Sequence, residues 1–241
     1  MTPADDRDAA GRLLARHQRA RAAMVRGLRS HGVTDERVLE AMGRLPRELF
    51  APEALAPRAY EDHALPVVDG QTLTRPATVA QCAAEVVRAG AQRVLEVGTG
   101  SGYQAAVLAS VCRQVFSVER HAGLLARARA TLDRLGIANV ALLRGDGSVG
   151  WSRFAPYDAV VVAAAADAVP QALLAQVGPG GVLIVPVGGP GGQRLLRVTR
   201  TAGGSTTDDL GPCSFVPLVG GADSRRSAAD RGAETRPPDR S

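Results

Sequence analysis

The stretch "VLEVGTGSGYQ", Val94 to Gln104, decides the fold reading. An apolar, β-branched run empties into three glycines at Gly98, Gly100 and Gly102, and a helical pattern follows from Gln104. A strand, a glycine loop and a helix in that order are how an open α/β sheet receives a nucleotide at the carboxyl end of its strands. The dinucleotide fingerprint G-x-G-x-x-G needs its third glycine where this chain has Tyr103, so the spacing is G-x-G-x-G instead.

Glu96 stands two residues ahead of the first glycine. A carboxylate beside the loop repels a pyrophosphate and suits a cation. S-adenosylmethionine (SAM) has no phosphate, carries a sulfonium and ends in an ammonium, so it fits better than NAD. The loop residues Gly98, Thr99, Gly100, Ser101 and Gly102 are the expected cradle. An NAD oxidoreductase is the competing reading, and titration with each nucleotide separates the two.

Outward from the loop, short β-rich runs alternate with helical ones: "RVLEVG", "QVFSVE", "VALLRGD", "YDAVVVA" and "GVLIVPVG", then "RLLRVTR" and "SFVPLVG". Helical patterns over Gln104 to Val111, Ala122 to Leu135 and Pro170 to Gln176 separate most of the first five. This alternation predicts an α/β fold, a doubly wound, mostly parallel sheet of seven strands. The last two strands lack a helix between them and are expected as an antiparallel pair at one edge.

Two further strand ends carry acids. Glu119 closes the second strand about twenty residues after the first glycine, where an acid accepts both ribose hydroxyls in dinucleotide sites. Asp146 closes the third, positioned to accept from an adenine amino group, and Gly147 lets the ring approach the backbone. Three acids at successive strand ends of one sheet predict an adenosine site.

Upstream, Leu13, Leu14, Ala20, Met24 and Leu28 recur at helical spacing, and arginines fill the opposite face. A second helix is expected after Thr34, read as its N-cap, with Val38, Leu39 and Met42 on its apolar side. "PRELFAPEALAPRAYEDHALPVVDGQT" is rich in proline and turn residues and reads as irregular but ordered. The expected division is an N-terminal helical and substrate-lid segment, 1–90, packed on the same domain as a SAM-binding core, 91–221, with a disordered tail, 222–241, that lacks large apolar side chains.

Composition narrows the partners. The net charge is +5, but all 29 basic residues are Arg, scattered among acids, with three Tyr, four Phe and one Trp. Stacking platforms for bases are scarce, which argues against nucleic acid. The longest uncharged apolar run, Ala159 to Ala166, is far short of a membrane span. The start "MTPADDRDAAGR" has neither the basic opening nor the apolar stretch of a signal peptide, so a cytoplasmic protein is expected; a monomer is expected as well. Cys82, Cys112 and Cys213 form no CxxC, and the four histidines show no ligand spacing, so no metal is expected.

"AYEDHALPVVDGQTLTRP", "VLEVGTGSGYQAAVLA", "GDGSVGW" and "FVPLVG", in this order, resemble the protein-L-isoaspartate O-methyltransferase family. "GVTDERVLEAMGRLPRELFAPE" is similar to that family's N-terminal segment, so the resemblance spans about residues 20 to 221. It implies a SAM-dependent, Rossmann-like methyltransferase fold and methyl transfer to the α-carboxylate of L-isoaspartyl residues in aged proteins. The ester then closes to a succinimide that hydrolyses partly to normal aspartate. The family usually has Ser where this chain has Thr74 in "GQTLT", often an aromatic where it has Ala77, and often Thr at the start of the loop that here reads Ala163 to Asp167.

Such a reaction needs no general base, because a carboxylate with a reference pKa of about 4 is already ionised at neutral pH. The protein's task is alignment, which can contribute several kcal/mol. Thr74 is the expected catalytic group, donating to one carboxylate oxygen while the other faces the methyl. Asp62 and Gln71 flank the same segment and are expected to order it over SAM. Ala164, in a run of small side chains, and Val216 are expected to let a peptide lie close, held through main-chain hydrogen bonds. Two alternatives stay open: a tailoring enzyme that methylates a normal aspartate in one dedicated peptide, and a SAM-binding protein without turnover.

Overall fold

The computed structural model describes residues 3–67, 70–189 and 191–220, without the side chains of 3–16. The expected tail, 222–241, lies outside the described residues.

Helix α1 (Pro3–Ser30) is followed by α2 (Glu36–Arg44). The cap of α2 is Asp35 rather than Thr34: its carboxylate accepts from the backbone N–H of Arg37 and Val38, satisfying two of the donors a helix start leaves open. Val38, Leu39, Ala41 and Met42 are buried along one face. Two 3-10 turns, Arg47–Phe50 and Glu53–Arg58, and a short antiparallel ribbon of β1 (Leu65–Pro66) and β2 (Thr72–Leu73) make up the expected irregular segment.

Helix α3 (Pro76–Arg88) comes next, on residues to which the sequence reading gave no element. Its signals are local: Pro76 at the first turn, where its missing N–H costs nothing, and buried Val79, Ala80, Ala83, Val86 and Val87 at helical spacing.

The core alternates β3 (Arg93–Val97), α4 (Tyr103–Val111), β4 (Gln114–Glu119), α5 (Ala122–Arg134), β5 (Val140–Arg144), β6 (Tyr157–Val162), α6 (Gln171–Leu174), β7 (Val177–Gly189), β8 (Gly192–Thr201) and β9 (Gly204–Cys213). The seven strands lie in the order β5-β4-β3-β6-β7-β8-β9. The first five pair in parallel, and β7–β8 and β8–β9 are antiparallel. The seven-stranded, mostly parallel sheet therefore stands as read. One strand does not: the seventh is Gly204–Cys213, and "SFVPLVG" supplies only an isolated bridge from Pro217 to Ala165. A proline cannot donate to a ladder, and this segment runs across the strand ends instead of along an edge.

Both faces of the sheet are covered. Val94, Val115, Ala159, Val161, Val182 and Ile184 face the N-terminal helices, α3 and α4 in one buried cluster. Leu95, Val97, Phe116, Val118, Val160, Val162 and Leu183 face the other way, against Leu173, Trp151 and Phe154. Each fully buried Val, Leu or Ile among them contributes about 1.5–3 kcal/mol. Strand order reverses between β3 and β6, and this switch point sets where a ligand can enter.

Candidate functional site

A cavity opens at the carboxyl ends of β3 and β4, over the reversal of strand order. The loop Gly98–Gly102 forms its floor. Gly98 has φ +93° and Gly102 has φ +89°, conformations that residues with a Cβ rarely adopt. A Cβ on Gly102 would also lie 3.1 Å from that of Ala128 on α5. The loop is tied to the sheet by the N–H of Gly98, which donates to the Val118 carbonyl at 2.9 Å, and closes on itself from Gly102 N–H to Thr99 O at 2.8 Å. Gly98, Thr99, Gly100 and Ser101 line the cavity.

Glu119 is 5% exposed and lines the same cavity. One carboxylate oxygen accepts from Gly100 N–H and the other from His121 N–H, each at 2.9 Å. Each oxygen has a second lone pair, so the group braces the loop and still faces the cavity as an acceptor.

Glu96 is not where the sequence reading put it. It is 0% exposed and does not border the cavity, because both faces of β3 are covered and its side chain points under the loop. Ser117, its neighbour in register on β4, donates to Oε2 at 2.5 Å and lies 2.6 Å from the Thr99 hydroxyl. Burial pushes the Glu96 carboxyl up to about 8; Ser117 and Gln104 oppose the rise, and the charge of Glu119 adds to it. Near neutral pH Glu96 is therefore largely protonated, and the carboxylate that borders the cavity is that of Glu119. Among the described residues Glu96 Oε1 has no partner in hydrogen-bond geometry, nor has either amide atom of buried Gln104, which does line the cavity.

Asp146 also departs from its expected place. It caps the 3-10 turn Gly147–Val149, accepting from Ser148 N–H at 2.9 Å and Ser148 Oγ at 2.7 Å. It borders a neighbouring pocket with Arg120, Arg144 and Gly220, while Gly147 lines the cavity over the glycine loop. A Cβ on Gly147 would meet Val97 Cγ1 at 2.5 Å, so the glycine is needed for strand packing as well as for ligand approach.

Thr74, between β2 and α3, is half-buried on the far wall with Gln71, Thr72 and Leu73. It also borders an open groove that runs past Thr72, Asp62, His63, Arg75 and Cys213, so Thr74 stands where groove and cavity meet. Asp62 is outside the cavity: one oxygen accepts from Ala77 N–H at 2.8 Å at the start of α3, and the other pairs with Arg75 at 3.3 Å. It orders the segment that carries Thr74 without touching the cavity itself.

The fourth side is a strap. Ala165 N–H donates to Val216 O at 2.8 Å, Leu218 N–H to Ala165 O at 2.7 Å, and Arg120 to Val219 O at 3.2 Å. Val216, Pro217, Leu218 and Val219 thereby line the cavity, together with Ala163 and Ala164.

Tyr103, Gln104, His121 and Leu218 were missed in the sequence. Gln104 had a signal, as a polar residue at the head of the otherwise apolar "YQAAVLASV". Among the described residues, no group of three or more His, Cys, Asp and Glu could hold a metal, and no helix is long and apolar enough to cross a membrane.

Residues 18–223 match the family model described as protein-L-isoaspartate(D-aspartate) O-methyltransferase. A Halorhodospira halophila protein named protein-L-isoaspartate O-methyltransferase is 47% identical over 217 residues, covering 90% of this chain and 98% of its own. One of the same name from Xanthomonas euvesicatoria pv. vesicatoria is 48% identical over 205 residues, covering 85% and 91%. A solved protein-L-isoaspartate O-methyltransferase superposes with a TM-score of 0.73 at 28% identity, over 88% of this chain and 69% of that one. A Plasmodium falciparum structure described by the same activity, in complex with S-adenosyl-L-homocysteine, gives 0.74 at 23% identity, over 84% and 98%, and bears on the fold alone.

Proposed function

The chain belongs to the protein-L-isoaspartate O-methyltransferase family, and we propose that it transfers a methyl group from SAM to the α-carboxylate of L-isoaspartyl residues in damaged proteins and peptides. The observation that carries this reading is the junction at Thr74, where the cavity over the glycine loop meets the groove that runs past Asp62, Arg75 and Cys213.

The residues present fit SAM. Glu119 supplies a carboxylate acceptor at the end of β4, where a ribose diol lies in this fold class. At the other end, buried Gln104 lines the cavity, and neither of its amide atoms has a hydrogen-bond partner among the described residues. One acceptor and one donor suit an amino-acid end that offers an ammonium and a carboxylate, and unpaired buried groups of this kind cost about 1–3 kcal/mol each. When bound, SAM supplies an electrophilic methyl on a sulfonium. Thr74 donates its hydroxyl to one oxygen of the acceptor carboxylate and orients the other toward that methyl. Gln71 and Asp62 order this wall, Asp62 through the start of α3. The strap from Val216 to Val219 and the small Ala163 and Ala164 exclude water and admit an extended peptide, whose main chain can bond to this irregular backbone.

No side chain is asked to take a proton, because the acceptor is already an anion at pH 7. Neutralisation of opposite charges in the transition state favours a dry site. The same reading holds the enzyme to be a cytoplasmic monomer; free Cys82 and Cys112, both buried as thiols, suit a reducing compartment.

The test is transfer of labelled methyl from SAM to paired peptides that differ only in Asp or isoAsp, with base-labile release of methanol marking an ester. Labelling across many isoAsp sequences, and little of normal Asp, is expected. Labelling of normal Asp in one sequence alone would shift the reading to a tailoring enzyme, and tight SAM binding without any ester would make the protein a binder.

A further inference from the structure

Arg47 is 0% exposed, beneath the wall that carries Thr74. Its Nε donates to Ala59 O at 2.6 Å and its Nη2 to Thr74 O at 2.7 Å. The guanidinium carbon lies 4.4 Å from the centre of the Tyr103 ring, and Tyr103 lines the cavity. Nη1 has no hydrogen-bond partner among the described residues. A buried guanidinium is costly to keep unless its geometry is used. Here its fork spans two carbonyls from separate segments, which a single-point donor cannot do.

The tether sits directly behind the reacting corner. Thr74 is joined through its own carbonyl to Arg47, and three residues later Ala77 N–H is held by Asp62. The backbone that carries the Thr74 hydroxyl is thus fixed at its own carbonyl and again three residues on, and the Arg47 anchor rests on the aromatic ring that opens α4, next to the glycine loop. We infer that Arg47 is a positioning residue for methyl transfer: its guanidinium locks the Thr74 backbone against the Tyr103 ring, so that the Thr74 hydroxyl faces the acceptor carboxylate. The inference rests on the proposed reaction. Arg47 itself touches neither cofactor nor substrate.

The test uses the full chain with Arg47→Lys, which keeps the charge but loses the fork, and Arg47→Gln, which keeps one donor without charge. For both, kcat for an isoAsp peptide should fall about tenfold, the scale of a misaligned near-attack geometry. The peptide KM and the affinity for S-adenosyl-L-homocysteine should stay within about twofold, because neither ligand meets Arg47. In the Thr74→Ala background the Arg47 substitutions should cost nothing further, since they act through the missing hydroxyl. The 13C-methyl signal of Thr74 should move from one rotamer toward an average. Losses that add in the double variant would overturn the inference, as would S-adenosyl-L-homocysteine affinity falling in step with kcat, or an unchanged kcat with an unchanged methyl signal. Absence of methyl transfer by the wild-type chain would defeat the functional reading alone, and the Thr74 methyl signal would then decide the tether.

Discussion

Ser117 stands beside Glu96 in the register of the parallel strands β3 and β4, and its hydroxyl donates to the Glu96 carboxyl at 2.5 Å, wholly out of solvent. An acid without a cationic partner in such a place prefers to keep its proton.

The pH dependence of stability follows from that preference. The Glu96 pKa rises from 4.5 to about 8 on folding, mainly through burial. Below the unfolded value both states hold the proton and the acid costs the fold nothing. As pH climbs toward 8 the unfolded chain ionises while the folded chain does not, so stability falls through that window and levels off above it. Glu96→Gln removes the titration and keeps an acceptor for Ser117. Its stability relative to wild type should therefore grow from pH 5 to pH 8 by a few kcal/mol, at about 1.4 kcal/mol per pH unit of difference. Urea unfolding at pH 5, 7 and 9 measures this; a difference constant across the three would show that Glu96 is ionised in the fold.

Glu119 has two duties that substitution can separate. Glu119→Ala strips the braces from Gly100 and His121 and removes the ribose acceptor. It should weaken S-adenosyl-L-homocysteine binding by more than about 1.4 kcal/mol, or tenfold. Glu119→Gln keeps one acceptor and should lose less. Calorimetry with adenosine as a second ligand locates the loss: a defect confined to S-adenosyl-L-homocysteine, with adenosine unaffected, would remove Glu119 from the ribose.

Gly102 should resist any side chain. At φ +89°, with Ala128 Cβ 3.1 Å from where its own would stand, Gly102→Ala meets both backbone strain and contact with α5. A destabilisation of about 1–3 kcal/mol is expected, together with weaker nucleotide binding. Thermal unfolding at wild-type values would mean that the loop has another conformation to adopt.

Much of this architecture is written in the local pattern. β6 and β7 carry near-continuous apolar runs, as strands buried on both faces do, β3 and β4 are shorter apolar runs broken by Glu96 and Ser117, and the glycine spacing marks the loop. The same double burial hides what the reading of Glu96 needed. When both faces of a strand are covered, alternation no longer reports which way a side chain points, so Glu96 reads as an edge charge and stands as a buried neutral acid. β9 was missed for the opposite reason: "GSTTDDLGPC" is polar because most of it is exposed at the sheet edge. The β-branched, apolar "SFVPLVG" has the composition of a strand, yet Pro217 and the strand ends turn it into the strap. Arg47 and Thr74 are 27 positions apart, and only the fold brings them together.

Thr74 is the residue on which the chemistry turns. Thr74→Ala should reduce kcat about tenfold or more, because a preorganised donor on the acceptor carboxylate acts where water is excluded. Affinity for S-adenosyl-L-homocysteine should stay within about twofold, since the nucleotide end of the cavity is built from other residues. Thr74→Ser restores the hydroxyl without the β-methyl, whose main effect is to stiffen χ1. It should therefore stand near wild type in kcat. Initial rates with one isoAsp peptide, at saturating SAM, compare the three proteins directly. If Thr74→Ala turns over normally, the hydroxyl does not align the acceptor. If Thr74→Ser falls as far as Thr74→Ala, the wall is shaped by the methyl group of Thr74 and the donor is elsewhere, in which case the backbone N–H groups facing the cavity would be the next candidates.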